Sequence, residues 1–241
     1  MAVAATALLS GCAFISVNAP TVALRDVGTP GSPTNVIILI GDGMGASHVT
    51  AARIELGELE MERLTTGGFS MTFASNRLVT DSAASGTALA TGHKSYNGAI
   101  SVSPDKRPLK TVLEHAEDRG MATGLVATCA ITHATPAVFA SHVESRDMYK
   151  EIARQMTGSG VDVMFGGGLS YFLPKNEPGG AREDGLNLLG ELRDRMPVAL
   201  STEEFRSLPA EDAAAALLYP DHPPTFASRE LPLAEMTSRA L

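Results

Sequence analysis

The sequence contains no run of basic residues, and its 241 residues carry a formal net charge of −8. Binding to a nucleic-acid backbone needs clustered Lys and Arg, so nucleic acid is set aside as a partner. Internal repeats and low-complexity tracts are also missing. The composition, 44% hydrophobic and 19% charged, is that of a globular chain with material for one large core or two small ones. Charge of either sign is absent from Met1 to Leu24. The apolar run in that stretch is too short to cross the ~30 Å hydrocarbon core of a bilayer as a helix, which favours a processed secretory segment over a membrane span. Cysteine is nearly absent, with Cys12 and Cys129 the two examples. The six histidines, at 48, 93, 115, 133, 142 and 222, include no short-spaced pair of the kind that ligates zinc.

The stretch "ATALLSGCAF" carries Leu9-Ser10-Gly11-Cys12. This tetrapeptide is similar to a bacterial lipobox, in which the cysteine is lipidated and becomes the mature N-terminus; the plainer alternative is a chance cysteine in an apolar leader. Basic residues normally precede such a run, and their absence implies a start upstream of Met1 or a clipped chain. With Cys12 lipidated, no partner remains for an intramolecular disulfide. Cys129, in "GLVATCAIT", reads as a buried and inert thiol.

Past a Pro- and Gly-rich loop, "NVIILI" is a continuous, β-branched apolar run, which predicts a strand buried on both faces. "ASHVTAARIELGE" predicts a helix, as does "PLKTVLEHAEDRG", with Pro108 at its start and Gly120 past its end. "ATGLVAT" and "VDVMFGGG" read as buried strands separated by the helices "TPAVFASHV" and "DMYKEIARQMT". Then come a surface loop, "PKNEPGGAREDG", a helix in "LNLLGELRDRM", a strand in "AAAALLYPDHPPTF" and a final helix in "PLAEMTSRAL". Alternation of strand and helix predicts an α/β fold with a mainly parallel central sheet flanked by helices.

Four clusters sit where strands end or helices begin, the edge at which open α/β sheets bind ligands. Asp42 in "GDGMG" suits a turn or a divalent cation. Asp81-Ser82 suits a helix N-cap, and equally a hydroxyl facing an anionic phosphate across the helix N-terminus. His133 and Thr135, the latter before Pro136, fit packing at a helix start or a ligand site. Arg146 is a solvated cation or a bidentate grip on phosphate oxygens.

In this order and spacing, "NVIILIGDGMG", "VTDSAASGTALATGHKSYNGAI", "ITHATPAVFASHVESR", "VDVMFGGG" and "PLAEMTSRAL" resemble the alkaline phosphatases, from about Asn35 to Leu241. "DSAAS" with its "TG-K-YNG" continuation is the specific part; the Cys-x-Pro-x-Arg of the related sulfatases is absent. The resemblance implies that Ser82 is a nucleophile forming a phosphoserine, with Asp81 orienting Arg146, the phosphate clamp. It implies that Asp42 is shared between one zinc and a magnesium, that Thr135 is a magnesium ligand, and that His133 stands beside that metal site, where some members carry Asp. The implied cofactors are two Zn²⁺ and one Mg²⁺, and the implied substrates are phosphate monoesters. Dimerisation is common in the family, so a homodimer is among the implied partners.

Residues 1–33 are accordingly read as leader and linker, and 34–241 as the N-terminal part of an alkaline-phosphatase-like catalytic domain, incomplete at its C-terminus. Family members carry further Glu, Asp and His ligands beyond the region of "LAEMT". The expectation is a periplasmic or extracellular protein, lipid-anchored at Cys12 to a bacterial membrane, that binds zinc poorly and turns over phosphate esters weakly or not at all. The alternatives are a short phosphate-binding lipoprotein without turnover and a phosphodiesterase of the same superfamily.

Overall fold

Four parallel strands in the order β1-β2-β4-β3 form the sheet: β1 (Gly124–Ala130), β2 (Val163–Gly167), β3 (Val198–Ala199) and β4 (Ala214–Leu217). The structure is a computed structural model that describes residues 35–64, 66–209 and 213–241. The expected leader, with Cys12, lies outside the described residues. Register runs from Gly124 opposite Val163 and from Val163 opposite Ala214. Strand alternation sorts side chains onto two helix-covered faces. Met164 and Leu217 join a core with α2 (Ser82–Thr91), α4 (Ala134–Ala140), α5 (Tyr149–Gly158) and α6 (Leu188–Arg193). Phe165 and Ala216 turn the other way, toward Phe205 of α7 (Thr202–Ser207) and Met236 of α8 (Leu233–Ala240). The α/β class expected from the alternating pattern is therefore observed.

Contacts divide the chain into two units, Met1–Gly41 and Asp42–Leu241. In the first, the expected strand "NVIILI" has no regular structure, and its apolar residues are exposed from Ile40 at 37% to Leu39 at 80%. An apolar run supplies strand propensity, but a strand also needs a neighbour to complete its ladder of hydrogen bonds. In the second unit, α1 (Ala46–Leu56) forms where the pattern places it and buries none of its residues. The helix α3 (Val112–Glu117) starts later than Pro108, because Thr111 caps it: Thr111 Oγ1 accepts from Glu114 N at 3.1 Å, and Glu114 reaches back to Thr111 N at 2.7 Å. The short β3 and α7 have no counterpart in the sequence reading. No helix among the described residues is long and apolar enough to cross a membrane.

The loop 174–185 is anchored rather than free. Arg182 is 1% exposed, pairs with Asp184, and donates to the carbonyls of Lys150 at 2.7 Å and Tyr171 at 3.0 Å. A second close approach shapes the site edge. Gly168 N–H lies 2.9 Å from both Tyr219 O and Asp221 O, and a Cβ on Gly167 would fall 2.1 Å from Asp221 O. Only glycine lets the loop after β4 press against the end of β2 and bring His222 to the edge of the sheet, where its Nδ1 accepts from Ala130 N at 3.1 Å. Gly167→Ala is expected to destabilise by about 1–3 kcal/mol and to expose the Ala130 amide to hydrogen exchange. Gly158→Ala, which meets open space, should be neutral or stabilising by up to ~1 kcal/mol. Urea unfolding and amide exchange check both.

Candidate active site

Asp81 organises the start of α2. Its Oδ1 accepts from Ala84 N at 2.9 Å, the N-cap bond, while its Oδ2 accepts from Gly98 N at 3.0 Å and Arg146 Nη1 at 3.2 Å. Asp81 N in turn donates to Asn97 Oδ1 at 3.1 Å, and Asn97 Nδ2 to Val79 O at 3.0 Å. Ser82 is the first residue of the helix behind that cap. The small residues that follow fit against α4, where a Cβ on Gly86 would meet Val138 Cγ2 at 3.0 Å.

Asp42 joins two distant segments. Ser82 Oγ donates to its Oδ1 at 3.0 Å and Thr135 Oγ1 to its Oδ2 at 2.8 Å, across 40 and 93 residues of sequence. One carboxylate thus gathers the hydroxyls at the start of α2 and in the first turn of α4.

His133, just past the end of β1, caps α4 by backbone alone and turns its ring to Arg146, whose Nη2 lies 2.9 Å from His133 Nε2. A guanidinium only donates, so this ring nitrogen is the acceptor of a neutral imidazole. Burial, then the charge of Arg146 and the neighbouring His222, hold the His133 pKa below its ordinary value. The two imidazoles meet edge to face, with centroids 5.1 Å apart. Burial, followed by the Asp42 charge, pushes the Cys129 thiol up to about 11, in keeping with an inert thiol.

The donor chemistry discriminates between cations. Asp42, Ser82 and Thr135 offer one carboxylate and two hydroxyls, oxygen donors of the kind a hard cation such as Mg²⁺ takes together with waters. Zinc prefers nitrogen or sulfur and needs three or four protein ligands. Among the described residues no group of three or more His, Cys, Asp or Glu side chains could hold a metal ion. His133 Nε2 faces Arg146 and His222 Nδ1 faces Ala130 N. The described residues therefore fit the oxygen-ligand part of a magnesium site and do not fit zinc.

The six residues picked out from the sequence form two hydrogen-bonded groups, Asp42 with Ser82 and Thr135, and Arg146 with Asp81 and His133, and the groups are joined through the Asp81–Ser82 peptide bond. Sequence reasoning missed Asn97 and Gly98, although the quoted "YNG" contained both, and His222, which stood in a Pro-rich loop without any spacing signal.

A serine hydroxyl at a helix N-terminus, a carboxylate beside it and a partly buried guanidinium stand together on the rim of a parallel α/β sheet, where open sheets of this kind bind ligands. The family model described as alkaline phosphatase matches residues 33–204. An alkaline phosphatase of Schizosaccharomyces pombe is 38% identical over 198 residues, 76% of this chain and 37% of that protein. Alkaline phosphatase 4 of Bacillus subtilis is 43% identical over 159 residues, 59% of this chain and 34% of that protein. The solved alkaline phosphatase of the Antarctic bacterium TAB5 superposes with a TM-score of 0.79 at 34% identity, covering 87% of this chain and 61% of that one. A His-to-Asp variant of it was solved with Mg bound in its M3 site. The chain belongs to the alkaline phosphatase family. It spans about a third of the length of these curated relatives.

Asp81→Ala removes the cap and leaves the Gly98 N–H and Arg146 short of an acceptor, whereas Asp81→Asn retains an oxygen for Ala84. The alanine variant is expected to lose about 2–4 kcal/mol and the asparagine variant about half of that, as measured by urea midpoints.

Proposed function

We propose that this chain carries the nucleophile and the phosphate clamp of a phosphomonoesterase that works through a phosphoserine. The observation behind the reading is that Ser82 hydrogen-bonds Asp42 at 3.0 Å while the adjacent Asp81 holds Arg146 at 3.2 Å. In this mechanism the other N–H groups of Arg146 grip the non-bridging oxygens of the phosphoryl group. Ser82 Oγ attacks phosphorus as Asp42 Oδ1 takes the hydroxyl proton; the bond from phosphorus to the ester oxygen breaks, and that oxygen takes a proton from solvent and leaves as the alcohol. Water then attacks the phosphoserine, inorganic phosphate leaves, and Asp42 returns the proton to Ser82 Oγ. Asp42 and Thr135 would hold Mg²⁺, which when bound supplies positive charge beside the developing negative charge.

The residues present also limit the rate. A positioned base contributes roughly 10²–10⁴-fold, whereas hydrolysis of a phosphate monoester can call for accelerations near ~10²¹. Since the described residues do not fit zinc, turnover by the chain alone is slow or absent. That misfit favours a second reading, in which Ser82 and Arg146 bind phosphate without turnover. The tetrapeptide ending at Cys12 supports a lipid-anchored periplasmic or extracellular protein in either case; palmitate labelling of the chain expressed in a bacterium, lost in Cys12→Ser, tests it.

Two measurements on the full chain separate the readings. Arg146→Ala is expected to weaken binding of inorganic phosphate by about tenfold or more. Turnover of p-nitrophenyl phosphate with added Mg²⁺ and Zn²⁺ is expected to be slow and to vanish in Ser82→Ala; no Ser82-dependent turnover at all would leave the binding reading. Fast turnover that Ser82→Ala abolishes would overturn the claim of a weak site, and preference for bis-p-nitrophenyl phosphate would mark a diesterase.

A further inference from the structure

The segment that delivers Arg146 is tied down outside the site, by Tyr96, whose hydroxyl donates to Glu144 O at 2.9 Å, by Lys106, which pairs with Glu144, and by His142. Ile100 and Val143 exchange both backbone hydrogen bonds at 3.0 Å, and Arg146 N donates to Gly98 O at 2.7 Å, so residues 98–100 and 143–146 run as a short antiparallel pair. Immediately before this pair stands His142, bound from three directions. Its backbone N–H donates to Gln155 Oε1 at 2.7 Å and its carbonyl accepts from Gln155 Nε2 at 3.2 Å, tying it to α5. Ring Nε2 lies 2.9 Å from Glu114 Oε1 of α3, and ring Nδ1 lies 2.8 Å from Ser101 O.

The last contact is the informative one. Ser101 is fully buried and holds φ +42°, a region that non-glycine residues occupy at a cost. Something must fix it there. Thr87 Oγ1 accepts its N–H at 2.9 Å, its hydroxyl donates to Val138 O, and its carbonyl accepts from both Leu109 N at 2.9 Å and the His142 ring. A carbonyl only accepts, so Nδ1 carries a proton; Nε2 faces a carboxylate and also finds an acceptor. Burial pushes the Glu114 carboxyl up, but the Thr111 N–H and the His142 ring outweigh it and leave its pKa below the ordinary value. Glu151, bonded to Gln155 Nε2 at 2.8 Å and paired with Arg154, also borders this knot.

We propose that His142 is a positioning residue for Arg146: by clamping the strained Ser101 carbonyl to α3 and α5, it fixes the paired segment from which the guanidinium reaches Asp81. The inference rests on the reading of Arg146 as the phosphate clamp. Its test begins with amide hydrogen exchange on the full chain. In His142→Ala the Val143 and Arg146 amides are expected to exchange about tenfold faster or more, while Val126 in β1 and Phe165 in β2 stay within about twofold of wild type. His142→Asn places an N–H near the Nδ1 position and should recover part of the protection; if the alanine variant does not fold, His142→Asn and His142→Gln carry the same comparison. Uniform acceleration, or none at Val143 and Arg146, overturns the proposal.

The second measurement is inorganic phosphate titration followed by ³¹P NMR. His142→Ala is expected to weaken binding by about tenfold in the wild-type background and to add nothing in the Arg146→Ala background. Equal weakening in both backgrounds overturns the proposal. If wild type binds no phosphate in an Arg146-dependent way, the clamp reading fails instead, and the exchange comparison still decides what His142 does.

Discussion

One carboxylate, that of Asp81, holds the site together. It stops the backbone from fraying at the start of α2, accepts the Gly98 N–H of a neighbouring loop and binds the Arg146 guanidinium. A capping side chain, a loop anchor and an ion-pair partner are usually three residues. Here they are one, and Arg146 and Asp81 are each only about a quarter exposed, so the pair is less screened than a surface ion pair. The hydroxyl of Ser82 and the charge of Arg146 are thus fixed relative to each other by a group lying between them in the structure. Asp42 repeats the device on the other side, joining Ser82 to Thr135.

Much of this was legible in the sequence, and the reasons differ by element. "GLVATCA" and "VMFGG" are short apolar runs bounded by glycine and turn residues, so periodicity and length located β1 and β2. Asp81 followed by a helix-compatible run located the cap. Periodicity could not say that Asp42, Ser82 and Thr135 meet, since tertiary contacts across 93 residues leave no local trace; only the order of several motifs, read as a family resemblance, brought them together. "NVIILI" carries the strongest strand signal in the chain and is not a strand, because ladder partners are not a local property. His142 and Ser101 were invisible for the opposite reason: a partly buried histidine and a left-handed serine are spelled with ordinary residues.

The loops do more positioning than the helices. Gly167 and Gly168 admit the turn that carries His222, and Arg182 pins the segment from Pro174 to Gly185 through backbone carbonyls. Each is a steric or hydrogen-bonding fit with little slack, which is why a single methyl group at Gly167 is expected to be felt at the sheet edge.

The build of α2 has a thermal consequence. Its buried positions are Ala83, Ala84, Gly86, Thr87 and Ala90, while its one large apolar residue, Leu89, is 54% exposed. Alanine and glycine lose almost no rotamer freedom on packing, so the helix is ordered at low side-chain entropic cost; they also bury little apolar area, so it adds little to the heat of unfolding. The sheet and its Phe, Leu and Met partners carry the bulk of the melting enthalpy.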